Sequence, residues 1–121
     1  MDKTIKYIEM SWSADEIQKL WKREPGDFYS IYGNEVYVYF GLDDSGMFWL
    51  PRQDQLQEMV WGLIEPDGHN LNSIRRIEFS FNRFVGIHHR RYDSYEQLWL
   101  AFVMKKKYDK SWNKTEWRII C

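Results

Sequence analysis

The chain has 121 residues, 44% of them hydrophobic and 29% charged, which is the size and composition of one globular domain spanning 1–121 and excludes a disordered polymer. Its 17 lysines and arginines against 18 acidic residues leave a net charge of −1, so no molecule-wide field draws in nucleic acid or an anionic membrane, and any affinity for anions has to be local. The one cysteine, Cys121, excludes an internal disulfide and cysteine-rich zinc modules and fits a reducing compartment.

At the N-terminus, Ile5, Ile8 and Trp12 keep helical spacing, whereas Ile8, Met10 and Trp12 alternate as a strand would. A helix with a bend or restart near Ser13 reconciles the two. Ser13-Ala14-Asp15-Glu16 reads as a capping box, Trp12 and Ile17 as its staple, and Ile17, Leu20 and Trp21 as the inner face before Pro25-Gly26 ends the helix. Asp27 to Ile31 and Glu35 to Phe40 form a hairpin around Tyr32-Gly33-Asn34, and the turn Asp43-Asp44-Ser45-Gly46 delivers a third strand, Met47 to Leu50.

A second helix follows Pro51, with Leu56, Met59, Val60, Leu63 and Ile64 on one stripe, Asp54 as N-cap answered by Gln57, and Glu65-Pro66-Asp67-Gly68 as its stop. Arg75 to Phe81 alternates Ile77, Phe79 and Phe81 with Arg76, Glu78 and Ser80, which predicts a fourth strand with one dry face. The clearest helix places Tyr95, Leu98, Trp99, Phe102 and Val103 on one stripe. It has a capping box in either of two registers, Asp93 with Glu96 or Ser94 with Gln97, and Lys105, Lys106 and Lys107 complement its dipole. Thr115 to Ile120 reads as a short closing strand. The expected fold is α+β, an antiparallel or mixed sheet of about four to five strands with about three helices packed on it. Charges spread through the N-terminal segment, and an apolar run no longer than Leu98 to Met104, point to a cytoplasmic protein with no leader and no membrane partner.

Three stretches, EIQKLWKREPGDFY (16–29), FWLPRQDQLQEMV (48–60) and SYEQLWLAFVMKKKYDKSWNKTEW (94–117), together resemble a group of small uncharacterised proteins encoded by phages and prophages of Gram-positive bacteria such as bacilli. The likeness covers less than half of the chain. It departs after Trp112-Asn113, where this chain has Lys114 in place of an expected glycine, and it does not extend to Asp67 to Arg91. The resemblance implies a phage accessory gene in a bacterial host cell. It carries no chemistry, because the shared stretches are the capped helices that fold the chain.

Catalytic signatures are few. Neither a G-x-x-x-x-G-K-[ST] loop nor a G-x-G-x-x-G turn occurs, and no H-E-x-x-H is present. His88 and His89 would point to opposite faces of an extended backbone, so no metal is expected there, and no cofactor anywhere. Asp43, Asp44 and Glu78 could form a metal-dependent hydrolase site, although Asp43-Asp44-Ser45-Gly46 is also ordinary turn chemistry. Cys121, at the end of the chain, lacks a scaffold for a catalytic base.

The densest chemistry is the cluster Arg83, His88, His89, Arg90 and Arg91, bracketed by Phe81, Phe84 and Tyr92. That mixture of guanidinium forks and stacking rings suits phosphates and bases, and it is equally the composition of a solvated lip before a helix. Trp21 and Trp99 belong to the core. Trp61 lies off its helix stripe, and Trp112 and Trp117 sit in a polar tail, so they read either as exposed interface anchors or as rings under a second layer. The expectation is a non-catalytic protein that binds a host or defence-system protein through Arg83, His88, His89, Arg90, Arg91, Tyr92, Trp61 and Trp112. The alternatives are a nucleic-acid or nucleotide binder using residues 83–91, a metal-dependent hydrolase, and a self-associating homo-oligomer.

Overall fold

Helical periodicity near the C-terminus and strand alternation over residues 27–50 are both realised in the computed structural model, which describes residues 1–31, 35–43, 46–64 and 71–120, and the side chains of all of these but 61–64 and 71–74. In chain order the elements are α1 (Ile5–Ser13), α2 (Asp15–Gln18), β1 (Phe28–Ile31), β2 (Glu35–Val38), β3 (Met47–Leu50), α3 (Gln53–Ile64) and α4 (Leu71–His88). A 3-10 turn (His89–Arg91), α5 (Tyr95–Tyr108), β4 (Lys110–Trp112) and β5 (Trp117–Ile119) complete it. The class is α+β. Among the described residues the strands form two antiparallel sheets, β2-β1-β3 and β4-β5, in place of one sheet of four to five strands, and there are five α-helices where about three were expected.

Every side chain of α5 from Gln97 to Met104 is buried, so this helix is the axis, with α1, α3, α4 and β4 packed around it. Burying each large apolar group in that stretch stabilises by roughly 1.5–3 kcal/mol. Of the two capping registers, Ser94 is the N-cap: its Oγ accepts the Gln97 N–H at 3.2 Å, and Gln97 Oε1 accepts the Asp93 N–H at 2.9 Å. Asp2 fastens this end to α1, since its carboxylate accepts from Ser94 Oγ, Gln97 Nε2 and Thr4, the residue that caps α1.

The expected bend near Ser13 is present as the break at Ala14 between α1 and α2. The Ser13 capping box is not made; Ala14 occupies the cap of α2 with no side-chain bond, and Glu16 instead pairs with Lys110 at 3.1 Å. Leu20 is exposed, and Trp12 leans on Phe48 at 6.1 Å and stays largely exposed. In α3 the cap falls two residues before Asp54: the Leu56 N–H reaches Arg52 O and the Arg52 N–H reaches Gln55 Oε1, while Asp54 lies in the first turn, paired with Arg52. Asp27 ties the turn after α2 to the start of α3. Its carboxylate accepts from Trp21 Nε1, Glu24 N–H, Gln55 Nε2 and Arg52.

The main departure is residues 75–81, which belong to helix α4 and not to a strand. Ile77, Phe81 and Phe84 repeat at i, i+4 and i+7, a helical stripe that is buried, whereas Phe79, dry in a strand reading, is turned outward and 70% exposed. The closing strand is real but shorter than residues 115–120, and its partner β4 was not expected. Across that pair Trp112 faces Trp117 with ring centroids 5.2 Å apart, and Trp117 Nε1 donates to Met10 O at 2.9 Å. Among the described residues, no helix is long and apolar enough to cross a membrane. The stop expected at 65–68 and the hairpin tip at 32–34 lie outside the described residues.

Candidate functional site

Helix α4 is locked onto α5 by Phe81 stacked on Trp99 and by the Phe84 and Phe102 rings meeting edge to face at 5.5 Å. Between the outer parts of these two helices runs a groove of about 300 Å³ lined by Phe79, Ser80, Arg83, Phe84, Ile87, Phe102, Lys105 and Lys106. Its floor is aromatic and its rim is cationic. The Lys105 and Lys106 ammonium groups lie 5.6 and 5.7 Å from the Phe84 and Phe102 ring centres, a distance at which cation–π attraction holds them on the rim. Among the described residues, no carboxylate forms an ion pair with Arg83, Lys105 or Lys106.

The groove is one of a chain of concavities that share lining residues. Phe79, Ser80 and Lys106 also line a hollow with Arg75 and Arg76. Phe84 and Lys105 also line a second cavity with His88, Tyr92, Lys110 and Ser111, and Tyr92 leads on to a third of about 540 Å³ holding Lys6, Arg90, Arg91, Asp93, Trp112 and Lys114. Among the described residues, ten of the 17 lysines and arginines line these concavities, against one carboxylate, Asp93. A chain of net charge −1 therefore carries one strongly cationic face. Lys6 is partly neutralised by Asp93 at 3.3 Å and Lys110 by Glu16 at 3.1 Å, and Arg76 is also engaged by another group.

Of the expected cluster 83–91, Arg83, His88 and the pair Arg90 and Arg91 line three different concavities, and His89 lines none of the four. Arg83 stands on the groove rim. His88 packs on Phe84 with centroids 4.4 Å apart, and burial, followed by the charges of Lys105 and Arg91, holds its imidazole below the usual histidine range. His89 lies in the 3-10 turn with Nδ1 3.1 Å from Val85 O; the backbone there is helical and not extended, so the expected placing of the two histidines on opposite faces loses its premise. Arg90 is exposed. Arg91 is structural as well as cationic, since its guanidinium donates to Trp112 O and so ties the end of α4 to the β4-β5 hairpin. Tyr92 and Trp112 are buried, 7% and 3% exposed, so of the two readings of Trp112 it is the ring under a covering layer that the structure shows. Burial also raises the Tyr92 phenol, against the opposing charge of Arg91. The Trp61 side chain lies outside the described residues.

Phe79, Ile87, Lys105, Lys106, Lys6 and Lys114 were missed. The signal for the first group was legible once 75–88 is read at helical period: Arg76, Ser80, Arg83 and Ile87 fall at i, i+4, i+7 and i+11 on one flank. Of the acidic trio, Asp43 Oδ1 accepts from Arg23 at 2.7 Å and from the Tyr39 hydroxyl at 2.9 Å, Glu78 is exposed on α4, and Asp44 lies outside the described residues. Among the described residues, no group of three or more His, Cys, Asp or Glu is placed to hold a metal ion. Comparison with protein families, with curated protein sequences and with solved structures finds no match to this chain.

Proposed function

We propose that this chain is a non-catalytic binding protein whose ligand is a nucleic acid, held along the cationic strip that runs from Arg75 past Arg83, Lys105 and Lys106 to Arg90 and Lys114. The observation that supports it is the union of clustered cations, of which Arg83, Lys105 and Lys106 make no ion pair among the described residues, with accessible rings in linked concavities. Phosphates need the first and bases the second, and together they favour an extended anionic polymer over a compact anion. Three stretches that resemble phage and prophage proteins add a setting, an accessory protein acting in a bacterial host cell.

Binding should be salt-sensitive, because each phosphate contact releases a counterion and steepens the fall of log K with log salt by about 0.7 for a single strand. Anisotropy of a labelled oligonucleotide across a salt series tests this. Lys105→Glu with Lys106→Glu should abolish the signal while leaving the urea midpoint within roughly 1 kcal/mol of wild type, the scale of helix-terminus charge effects. No salt-sensitive binding by the wild-type chain at low ionic strength removes the reading.

A second reading, occupation of a host or defence-system protein, is favoured by a separate feature. Phe40 and Leu42, on either side of Gly41 at the end of β2, are 79% and 84% exposed, more than solubility favours for two neighbouring large apolar groups. Phe40→Ser with Leu42→Ser should release a captured host protein without changing oligonucleotide binding. Capture that survives the double substitution removes this second reading.

A further inference from the structure

We infer that the groove between α4 and α5 is a nucleobase slot, so that the ligand is a single strand with one unpaired base seated in the groove and stacked on Phe79. This rests on the nucleic-acid reading above. Its basis is the combination of size, lining and charge. The groove volume of about 300 Å³ lies at the small end of the range for sites that enclose one small molecule, about 300–1,000 Å³, and suits a single nucleotide unit and not a duplex.

Two of the side chains that line it, Phe79 and Ile87, are 70% and 65% exposed, on a helix whose neighbouring outward positions are Arg75, Arg76 and Arg83. A phenyl ring that shares its concavities with guanidinium and ammonium groups offers a flat face for stacking beside cations that suit the adjoining phosphates. The floor is already filled by the interlocked Phe84 and Phe102 rings, so the slot is rigid below and open above. Arg83, Lys105 and Lys106 rim the slot itself, and Lys106 is shared with the hollow that holds Arg75 and Arg76. Phosphates on both sides of an inserted base therefore meet cations. Ser80 is the one uncharged polar side chain in the lining, which leaves little to read a base edge and implies tolerance of base identity. The complementary charge and the run of further concavities favour a strand over a membrane surface.

The test uses the full chain and four probes: a labelled oligothymidylate, an abasic strand of equal length, a duplex, and phosphatidylglycerol vesicles. Phe79→Ala should weaken oligothymidylate binding roughly five- to a hundredfold, the effect of losing one stacked base, with an unchanged salt slope. The abasic strand should bind wild type and Phe79→Ala alike, and Phe79→Trp should restore affinity. Equal binding of oligothymidylate by wild type and Phe79→Ala, or a duplex as tight as the single strand, overturns the slot and leaves the broader nucleic-acid reading standing. Capture by vesicles with no oligonucleotide binding overturns both in favour of a lipid surface.

Discussion

Phe81 lies face to face on Trp99, with ring centroids 3.7 Å apart and planes 7° from parallel, and this contact fixes helix α4 against the central helix. Phe79, two residues earlier, points away from it into solvent. Phe81→Ala should cost about 3–5 kcal/mol of stability, the range for a buried aromatic truncated to alanine. Phe79→Ala should stay within about 0.5 kcal/mol, as for other surface positions. Urea midpoints at constant m-value read both, and comparable losses at the two positions would sink the helical assignment of 75–81.

That pair also shows where the sequence is ambiguous. Ile77, Phe79 and Phe81 alternate, while Ile77, Phe81 and Phe84 repeat at helical spacing, and the decision belongs to Trp99 and Phe102, residues far along the chain. Helix α5 was legible because its Ser94 cap, its terminal lysines and its stripe from Leu98 onward agree, although Tyr95, the first residue of the expected stripe, is exposed. Trp112 stays open between two readings in the sequence for a related reason. Its sequence neighbours are polar, and only the pairing of β4 with β5 sets it against Trp117 beneath α1. The candidate site divides in the same way. Arg83 and Arg90 could be picked out by composition, whereas Lys105 and Lys106, which look sufficient as dipole partners, gain a second role only when α4 docks beside them.

Asp27 is almost fully buried, and burial alone would raise its carboxyl; the hydrogen bonds from Trp21, Glu24 and Gln55, with the charge of Arg52, outweigh that and hold it below the usual aspartate range. A folded-state pKa below the unfolded one makes a contribution that is complete above the unfolded value, about 3.9, and is lost as pH falls through the folded value. Asp2, lowered in the same direction, acts likewise. Asp27→Asn should therefore be less stable near neutrality by about 1.5–3 kcal/mol, the worth of hydrogen bonds to a charged group, and should lose less on acidification than wild type. Urea midpoints from about pH 6 down to about pH 3 compare the two, and parallel curves would refute the role given to Asp27.

Lys114 has a φ of 87°, a left-handed conformation that a side chain disfavours, in the turn where Asn113 Oδ1 accepts the Thr115 and Glu116 N–H groups. Lys114→Gly relieves strain of about 1–2 kcal/mol and gives back part of it in unfolded-chain entropy, so a net gain of roughly 0.5–1 kcal/mol is expected. The same substitution removes one cation from the third concavity, so the salt dependence of oligonucleotide binding should become shallower by about one contact. A stability loss in thermal or urea unfolding would contradict the strain assignment.

His88 connects the strip to pH. Its imidazole faces Phe84 on its own helix, Lys105 on α5, Lys110 on β4, and Tyr92 beyond the 3-10 turn, with Arg91 also bearing on it, and in the free protein it is held below its ordinary range of about 6.5. The neutral form is thus favoured by folding, and the stability it contributes is complete above about 6.5 and declines as pH falls below that. A phosphate seated on Lys105 offsets the cationic surroundings and favours the imidazolium, raising the His88 pKa in the complex. By reciprocity, oligonucleotide affinity must rise as pH drops from about 7.5 to about 6. His88→Gln should flatten that rise and His89→Gln should leave it, because His89 lies in the 3-10 turn and does not line the cavity. Affinities of the wild type and both variants at the two pH values decide it, and a pH-independent wild type would remove His88 from the binding face.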